Sequence, residues 1–294
     1  MTDDSDAPLS STKRHLEGQV ALITGAGRGI GLEIARTFAR HGAKLAINDL
    51  GCARDGSGND PLLIESIKKE LTEAGATVFA SSADITNPEE VEEFVNAATE
   101  QLGTIDILVN NAGIVQDRGL FDLTVESWDA VLRTHLRGTF LCTQAVVKRL
   151  RKKRMSGSVI NMTSTSGMLG NLGQINESTA KAGIYGLTRT ASIELQKFGI
   201  RVNALAAIAK TRLTEDLPMF EKVGDTRSAR HIAPAALFLA SPLGAELSGT
   251  VLSVAGGRIS TFELAESQGR IKESNDGIWT PEEIAENYDS IARR

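Results

Sequence analysis

Thr24-Gly25-Ala26-Gly27-Arg28-Gly29-Ile30-Gly31 follows directly on the apolar, β-branched run Val20-Ala21-Leu22-Ile23 and opens a helical pattern. Glycines at this spacing let the backbone approach a pyrophosphate closely. The start of the following helix adds unpaired N–H groups and the positive end of its dipole. A glycine-rich loop alone is weak evidence, but between a strand and a helix it is strong. About twenty residues on, a second apolar run ends at Asn48-Asp49. A carboxylate there accepts hydrogen bonds from an adenosine ribose and repels a 2′-phosphate, which favours NAD over NADP. The plainer alternative is a strand-terminal aspartate in a turn.

Working outward, short apolar runs recur at 20–23, 44–48, 77–81, 106–110, 158–162, 200–205 and 250–254. They are continuous rather than alternating, as parallel strands covered on both faces should be. Helical stretches with legible starts lie between them. Asn87-Pro88-Glu89-Glu90 offers an N-cap, a first-turn proline and two acids on the dipole, and Thr280-Pro281-Glu282-Glu283 reads as a capping box. Strands alternating with helices predict an α/β, Rossmann-type, doubly wound, seven-stranded parallel sheet with a C-terminal tail. The expected organisation is a loose arm at 1–16, one nucleotide-binding domain at 17–257, and a tail with a short helix at 258–294. A polar, glycine-rich insertion at 51–61 interrupts the regular pattern.

The 294 residues, 41% hydrophobic and 23% charged, suit a globular chain able to bury a full core. A net charge of −5 gives nucleic acid no basic footprint, because the run Arg151-Lys152-Lys153-Arg154 closes a helix, where cations suit the dipole. No segment has the apolar length of a membrane span. The two cysteines, Cys52 and Cys142, form no metal-ligand spacing, so no metal site is expected. A cytoplasmic location follows as an expectation.

With these residues quoted, the chain resembles the short-chain dehydrogenase/reductase superfamily. T-G-x-x-x-G-x-G at 24–31, Asp84-Ile85, Asn110-Asn111-Ala112-Gly113, Trp128, the run 135–140 and the run 183–188 carry the likeness from about residue 17 to 257. The insertion after Asp49 and the His135 variant resemble one branch, that of the dehydrogenase part of peroxisomal multifunctional enzyme type 2 and its long-tailed bacterial relatives. The resemblance implies NAD contacts from Gly25, Arg28, Gly29, Ile30, Gly31, Asp49, Asp84, Ile85, Asn111, Ala112, Gly113 and Lys181. It also implies a small-molecule substrate and a homodimer or homotetramer, or assembly with a related subunit, through helices within 126–151 and 178–197.

The resemblance implies a catalytic Ser, Tyr and Lys with a helping Asn. Aligned without gaps, Ser164 and Lys181 stand at the serine and lysine, Glu177 at the tyrosine, and His135 at the asparagine. The family's proline after the sixth strand is absent from Ala206-Ala207-Ile208. A phenol titrates near ~10 and an ordinary glutamic acid near ~4.3, so at neutral pH the glutamate is already ionised, free to accept a proton but with none to give. Glu177 and Lys181, one helical turn apart, are expected to form an ion pair. Tyr185 is expected to be packing and Tyr288 lies in the tail. Three readings stay open: an NAD(H)-dependent oxidoreductase acting on a secondary alcohol or ketone, a non-redox enzyme using Glu177 as a base, and a silent subunit that partners an active relative.

Overall fold

The structure, a computed structural model, describes residues 13–215, 224–273 and 277–293. The expected parallel strands form as β1 (Val20–Thr24), β2 (Lys44–Asn48), β3 (Val78–Ser81), β4 (Ile107–Asn110), β5 (Gly157–Thr163), β6 (Ile200–Ile208) and β7 (Val251–Ala255). The helices are α1 (Gly29–Arg40), α2 (Pro61–Glu73), α3 (Pro88–Leu102), α4 (Val125–Leu132), α5 (Gly138–Lys153), α6 (Thr165–Leu169), α7 (Ile175–Gln196), α8 (Ala233–Ala240) and α9 (Pro281–Ile291). The sheet order is β3-β2-β1-β4-β5-β6-β7 followed by an eighth strand. The order reverses between β1 and β4, so the loops leaving those strands diverge and open a crevice at their carboxyl ends.

One face of the sheet is covered by α1 and α8, packed through Ile34, Phe38, Ile232 and Leu239. The other face is covered by α3 and α5, packed through Phe94, Val95, Val146 and Leu150. Both layers are needed because the strands are apolar on both sides. Burying one such side chain contributes about 1.5–3 kcal/mol. Asn87 caps α3 by accepting from the Glu89 and Glu90 amides, and α5 ends on Arg154 in the left-handed region. A polar seam crosses the interior beneath the crevice. Asn110 donates to Asn161 and Thr143 at 2.8 and 2.9 Å, and Asn161 donates to Thr188 at 2.9 Å. These bonds fix β4 and β5 against α5 and α7, the elements that carry the chemical side chains.

The seven-stranded expectation needs one correction, because β8 (Arg258–Thr261) adds an antiparallel strand on β7. Gly256-Gly257 makes a two-residue hairpin loop, Gly256 having a positive φ of 58° that suits glycine. Three of the four residues of β8 are exposed, so the strand lacks the continuous apolar run by which the others were recognised. The chain divides into two compact units after Thr261. In the second unit Thr280 and Glu283 form the expected capping box at the start of α9, and Lys272 pairs with Glu283 at 2.6 Å. Among the described residues no helix is long and apolar enough to cross a membrane.

Candidate active site

The crevice is a cleft of about 840 Å³ lined by the ends of β1, β2, β4, β5 and β6. On one side lies the glycine loop. Gly25 has a φ of +65°, and a Cβ there would sit 2.7 Å from the Ala112 Cα. A Cβ on Gly31 would sit 2.1 Å from the Gly25 carbonyl oxygen, and one on Gly27 would strike Asp49 at 2.7 Å. Glycine is therefore required for packing at Gly25 and Gly31, where backbone would be struck, while at Gly27 only side chains would have to move. The loop is braced by side chains: Asn111 donates to the Thr24 and Gly25 carbonyls at 3.0 and 2.9 Å, while the Thr24 hydroxyl accepts from the Asn111 and Ala112 amides.

The Asp49 carboxylate accepts from the Gly27 and Gly51 amides, each at 2.8 Å. A carboxylate has about four acceptor positions, so capacity remains for ribose hydroxyls. α1 begins at Gly29 with no side-chain cap and no acid in its first turn, which leaves its amides and dipole facing the cleft. Arg28, Gly29, Ile30, Asp84, Ile85, Ala112 and Gly113 line the same space. Gly31 lies beneath the loop as a packing contact. The fold and the donors fit a dinucleotide, which the free amides at the start of α1 and the remaining acceptor positions of Asp49 could hold.

The insertion proves to be a wall of the cleft. Val115 N donates to the Arg54 carbonyl at 2.9 Å and the Gln116 amide donates to the Asp55 carbonyl at 2.5 Å, so the insertion is hydrogen-bonded to the loop after β4. Gly56, with φ +91°, lies against Ile114. In the sequence only the glycine-rich composition of this segment and its position after Asp49 mark it.

The other side of the cleft carries His135, Ser164, Glu177 and Lys181, all of which line it. Ser164 caps α6 and accepts from the Ser166 amide at 3.2 Å and the Ser166 hydroxyl at 3.0 Å. Its own hydroxyl hydrogen is thus left to donate elsewhere. Glu177 stands in the first turn of α7, where an acid suits the dipole. Lys181 is 7% exposed, and its Nζ donates to the Met162 carbonyl at 2.9 Å. Its backbone carbonyl accepts from the Thr163 hydroxyl at 2.8 Å. The expected Glu177–Lys181 ion pair is not formed among the described residues. The lysine is drawn down to the end of β5, and the glutamate turns to His135, whose Nε2 lies 3.6 Å from Oε2. Burial holds the Lys181 ammonium below the usual lysine range, partly offset by the nearby Glu177 charge.

His135 sits in a single π-helical turn, Arg133–Arg137, between α4 and α5, a distortion frequent at functional sites. Gly113 makes room for it, since a Cβ there would meet the imidazole at 2.3 Å. The Nε2 faces both the Ile114 carbonyl, at 2.8 Å, and the Ile114 amide, at 3.1 Å. Burial is the main cause that lowers the imidazole below its ordinary range, and the Lys181 charge acts the same way; Glu177 and the Ile114 bond oppose them. Two buried atoms here have no hydrogen-bond partner, His135 Nδ1 and Glu177 Oε2. Leaving a buried polar atom without a hydrogen bond costs about 1–3 kcal/mol. Tyr185, one turn beyond Lys181, is half-buried and does not line the cleft.

The family model described as short chain dehydrogenase matches residues 19–221. The hydroxyacyl-CoA dehydrogenase ChsB1 of Mycobacterium tuberculosis is 35% identical over 97% of this chain and 92% of its own length. The peroxisomal multifunctional enzyme type 2 of Mus musculus is 34% identical over 94% of this chain, which spans only 37% of that protein. A crystal structure of a short chain dehydrogenase from Mycobacterium avium superposes with a TM-score of 0.82, at 33% identity, over 95% of this chain and 97% of that one.

Proposed function

This chain belongs to the short chain dehydrogenase family, and on that premise we propose that it is an NAD(H)-dependent oxidoreductase whose proton-transfer residue is Glu177. The substrate is a secondary alcohol or its ketone on a hydrophobic acyl thioester. The observation that carries this reading is the Glu177 carboxylate, which lines, beside Ser164 and Lys181, a cleft whose other half fits a dinucleotide.

Bound in that half, the nicotinamide supplies hydride transfer. Ser164, already accepting two hydrogen bonds, donates its hydroxyl to the substrate oxygen. Glu177 takes the proton from the substrate hydroxyl in oxidation and returns it to the carbonyl oxygen in reduction. Lys181, anchored on the Met162 carbonyl, has two N–H donors left for ribose hydroxyls. Asp49 favours NAD over its phosphorylated form.

The hydroxyacyl thioester class is supported by the named activity of the Mycobacterium tuberculosis relative and by the rim of the cleft. Leu169 lines the cleft at 77% exposure, and Leu172, Leu120 and Phe121 are likewise exposed. A backbone bridge between Arg118 and Gln174 ties together the two loops that bear these residues. Assembly into a homo-oligomer is supported by Phe140 and Ile193, apolar and exposed on α5 and α7.

The test is spectrophotometric. Reduced nicotinamide should accumulate with NAD⁺ and 3-hydroxyacyl thioesters, and Glu177→Gln should slow this by roughly 10²–10⁴ while leaving calorimetric NAD(H) affinity intact. Undiminished turnover in that variant would remove Glu177 from the chemistry. Turnover without any change in nicotinamide absorbance would favour the second reading, in which the same carboxylate abstracts an acidic proton without redox.

A further inference from the structure

Asn176 is the second residue of α7 and is fully buried. Asparagine favours caps and turns over the body of a helix, so its presence here calls for a local cause. Its side chain is used at both ends. Nδ2 donates to the Gln116 carbonyl at 3.0 Å, and Oδ1 accepts from the Glu177 amide at 2.8 Å. Gln174, the residue before α7, gives the helix no side-chain cap. Its own amide is spent elsewhere: Nε2 donates to Asp117 at 2.5 Å, and Oε1 accepts from Asn171 at 2.6 Å. Asn176 thus supplies, from inside the first turn, the acceptor that a capping residue would place ahead of it.

The bond to Gln116 reaches across 60 residues to the loop after β4, and that loop holds Glu177 from two directions. At the backbone, Gln116 fixes Asn176, which fixes the Glu177 amide. At the carboxylate, the Ile114 carbonyl holds the His135 imidazole at 2.8 Å, and His135 Nε2 lies 3.6 Å from Oε2. The loop is itself fastened to the insertion, because Val115 N and the Gln116 side chain donate to the Arg54 and Asp55 carbonyls. A line of hydrogen bonds therefore runs from Asp55 through Gln116 and Asn176 to Glu177. The three torsions of a glutamate leave its carboxylate free to wander unless both ends are held.

We propose that Asn176 is the positioning residue of Glu177, and that Gln116 carries the placement of the insertion to it. The proposal rests on Glu177 being the proton-transfer residue of the redox reading. It gives the insertion a second task, since the segment that walls the cleft also fixes the base.

Kinetics and crystallography test this together. Asn176→Ala should lower kcat for 3-hydroxyacyl thioester oxidation about tenfold to hundredfold, the scale of a displacement near 1 Å, with KM for NAD⁺ and thioester unchanged. Gln116→Ala keeps the backbone carbonyl and cuts only the tie to the insertion. It should lower kcat about threefold, the scale of one neutral hydrogen bond, and an unchanged kcat would remove the insertion from the proposal. The double variant should lose no more than Asn176→Ala alone, because both act along one line. Added to Glu177→Gln, Asn176→Ala should cost nothing further. An equal loss in both backgrounds would make Asn176 a structural residue only and overturn the proposal. In crystals of Asn176→Ala the Glu177 carboxylate should stand away from His135, and an undisplaced carboxylate would equally overturn it. Should Asn176→Ala fail to fold, Gln116→Ala supplies the same comparisons, in crystals and in both backgrounds. Absence of nicotinamide-linked turnover in the wild type would sink the redox reading, while the crystal comparison would still decide whether Asn176 positions Glu177.

Discussion

The two halves of the cleft are built by opposite rules. In the glycine-loop half, polar side chains are consumed by the backbone: Asn111 and Thr24 brace the loop, and both Asp49 oxygens hold amides. In the half around Glu177, polar atoms are left with few or no partners, including Glu177 Oε2 and His135 Nδ1. The first half is rigid before any ligand arrives, whereas the second stores unmet hydrogen-bonding capacity. Recognition and chemistry thus draw on different physical resources within one cavity.

The largest effect should come from disturbing the rigid half. Gly31→Ala forces a methyl group against the Gly25 carbonyl. Overpacking of this kind costs ~1–3 kcal/mol. Urea unfolding should show the loss, and calorimetry should show no measurable NAD(H) binding. Normal affinity would mean that the loop is more pliant than its bracing indicates.

Next in size, Glu177→Gln should lower turnover by roughly 10²–10⁴, with stability little changed. If it instead melted the protein, the two halves would not be separable as described.

A smaller effect concerns pH. Burial depresses the folded-state titration of His135 below 6.5. Below that value the unfolded chain binds the proton more readily, so stability is fully present above about 6.5 and is lost as pH falls through the folded value. The slope from this one group is at most about 1.4 kcal/mol per pH unit. His135→Asn should flatten that acid limb in urea titrations, and an unchanged limb would assign it to other groups.

The smallest effect is expected at the rim. Leu172→Ser should raise KM for long-chain acyl thioesters by up to about fivefold, the scale of ~1 kcal/mol of apolar contact. Short-chain substrates should be unaffected, and an equal rise for both would argue against a chain-binding rim.

The same contrast explains what the sequence made legible. The glycine spacing, the apolar runs and the Asp49 position are local patterns with local causes, and the structure reproduces the parallel sheet and the loop they describe. The Glu177–Lys181 pair was misread because the i,i+4 rule describes a solvated helix face, while this face is buried against the end of β5. The role of the insertion is not legible in sequence, since it depends on bonds from the Val115 backbone amide and the Gln116 side chain, distant in the chain. Nor is the Gln116–Asn176 bond, which joins positions far apart in the chain. β8 escaped because an exposed edge strand need not be apolar.

Lys181 is tied to β5 twice, by its ammonium to Met162 and by its backbone carbonyl to Thr163. The backbone bond would survive any substitution, whereas the ammonium is held in place against the cost of its burial. In a lineage that lost the reaction, selection for folding alone would give little reason to keep a lysine here. Its replacement by an apolar residue in a descendant is then the place to look for the moment activity was abandoned.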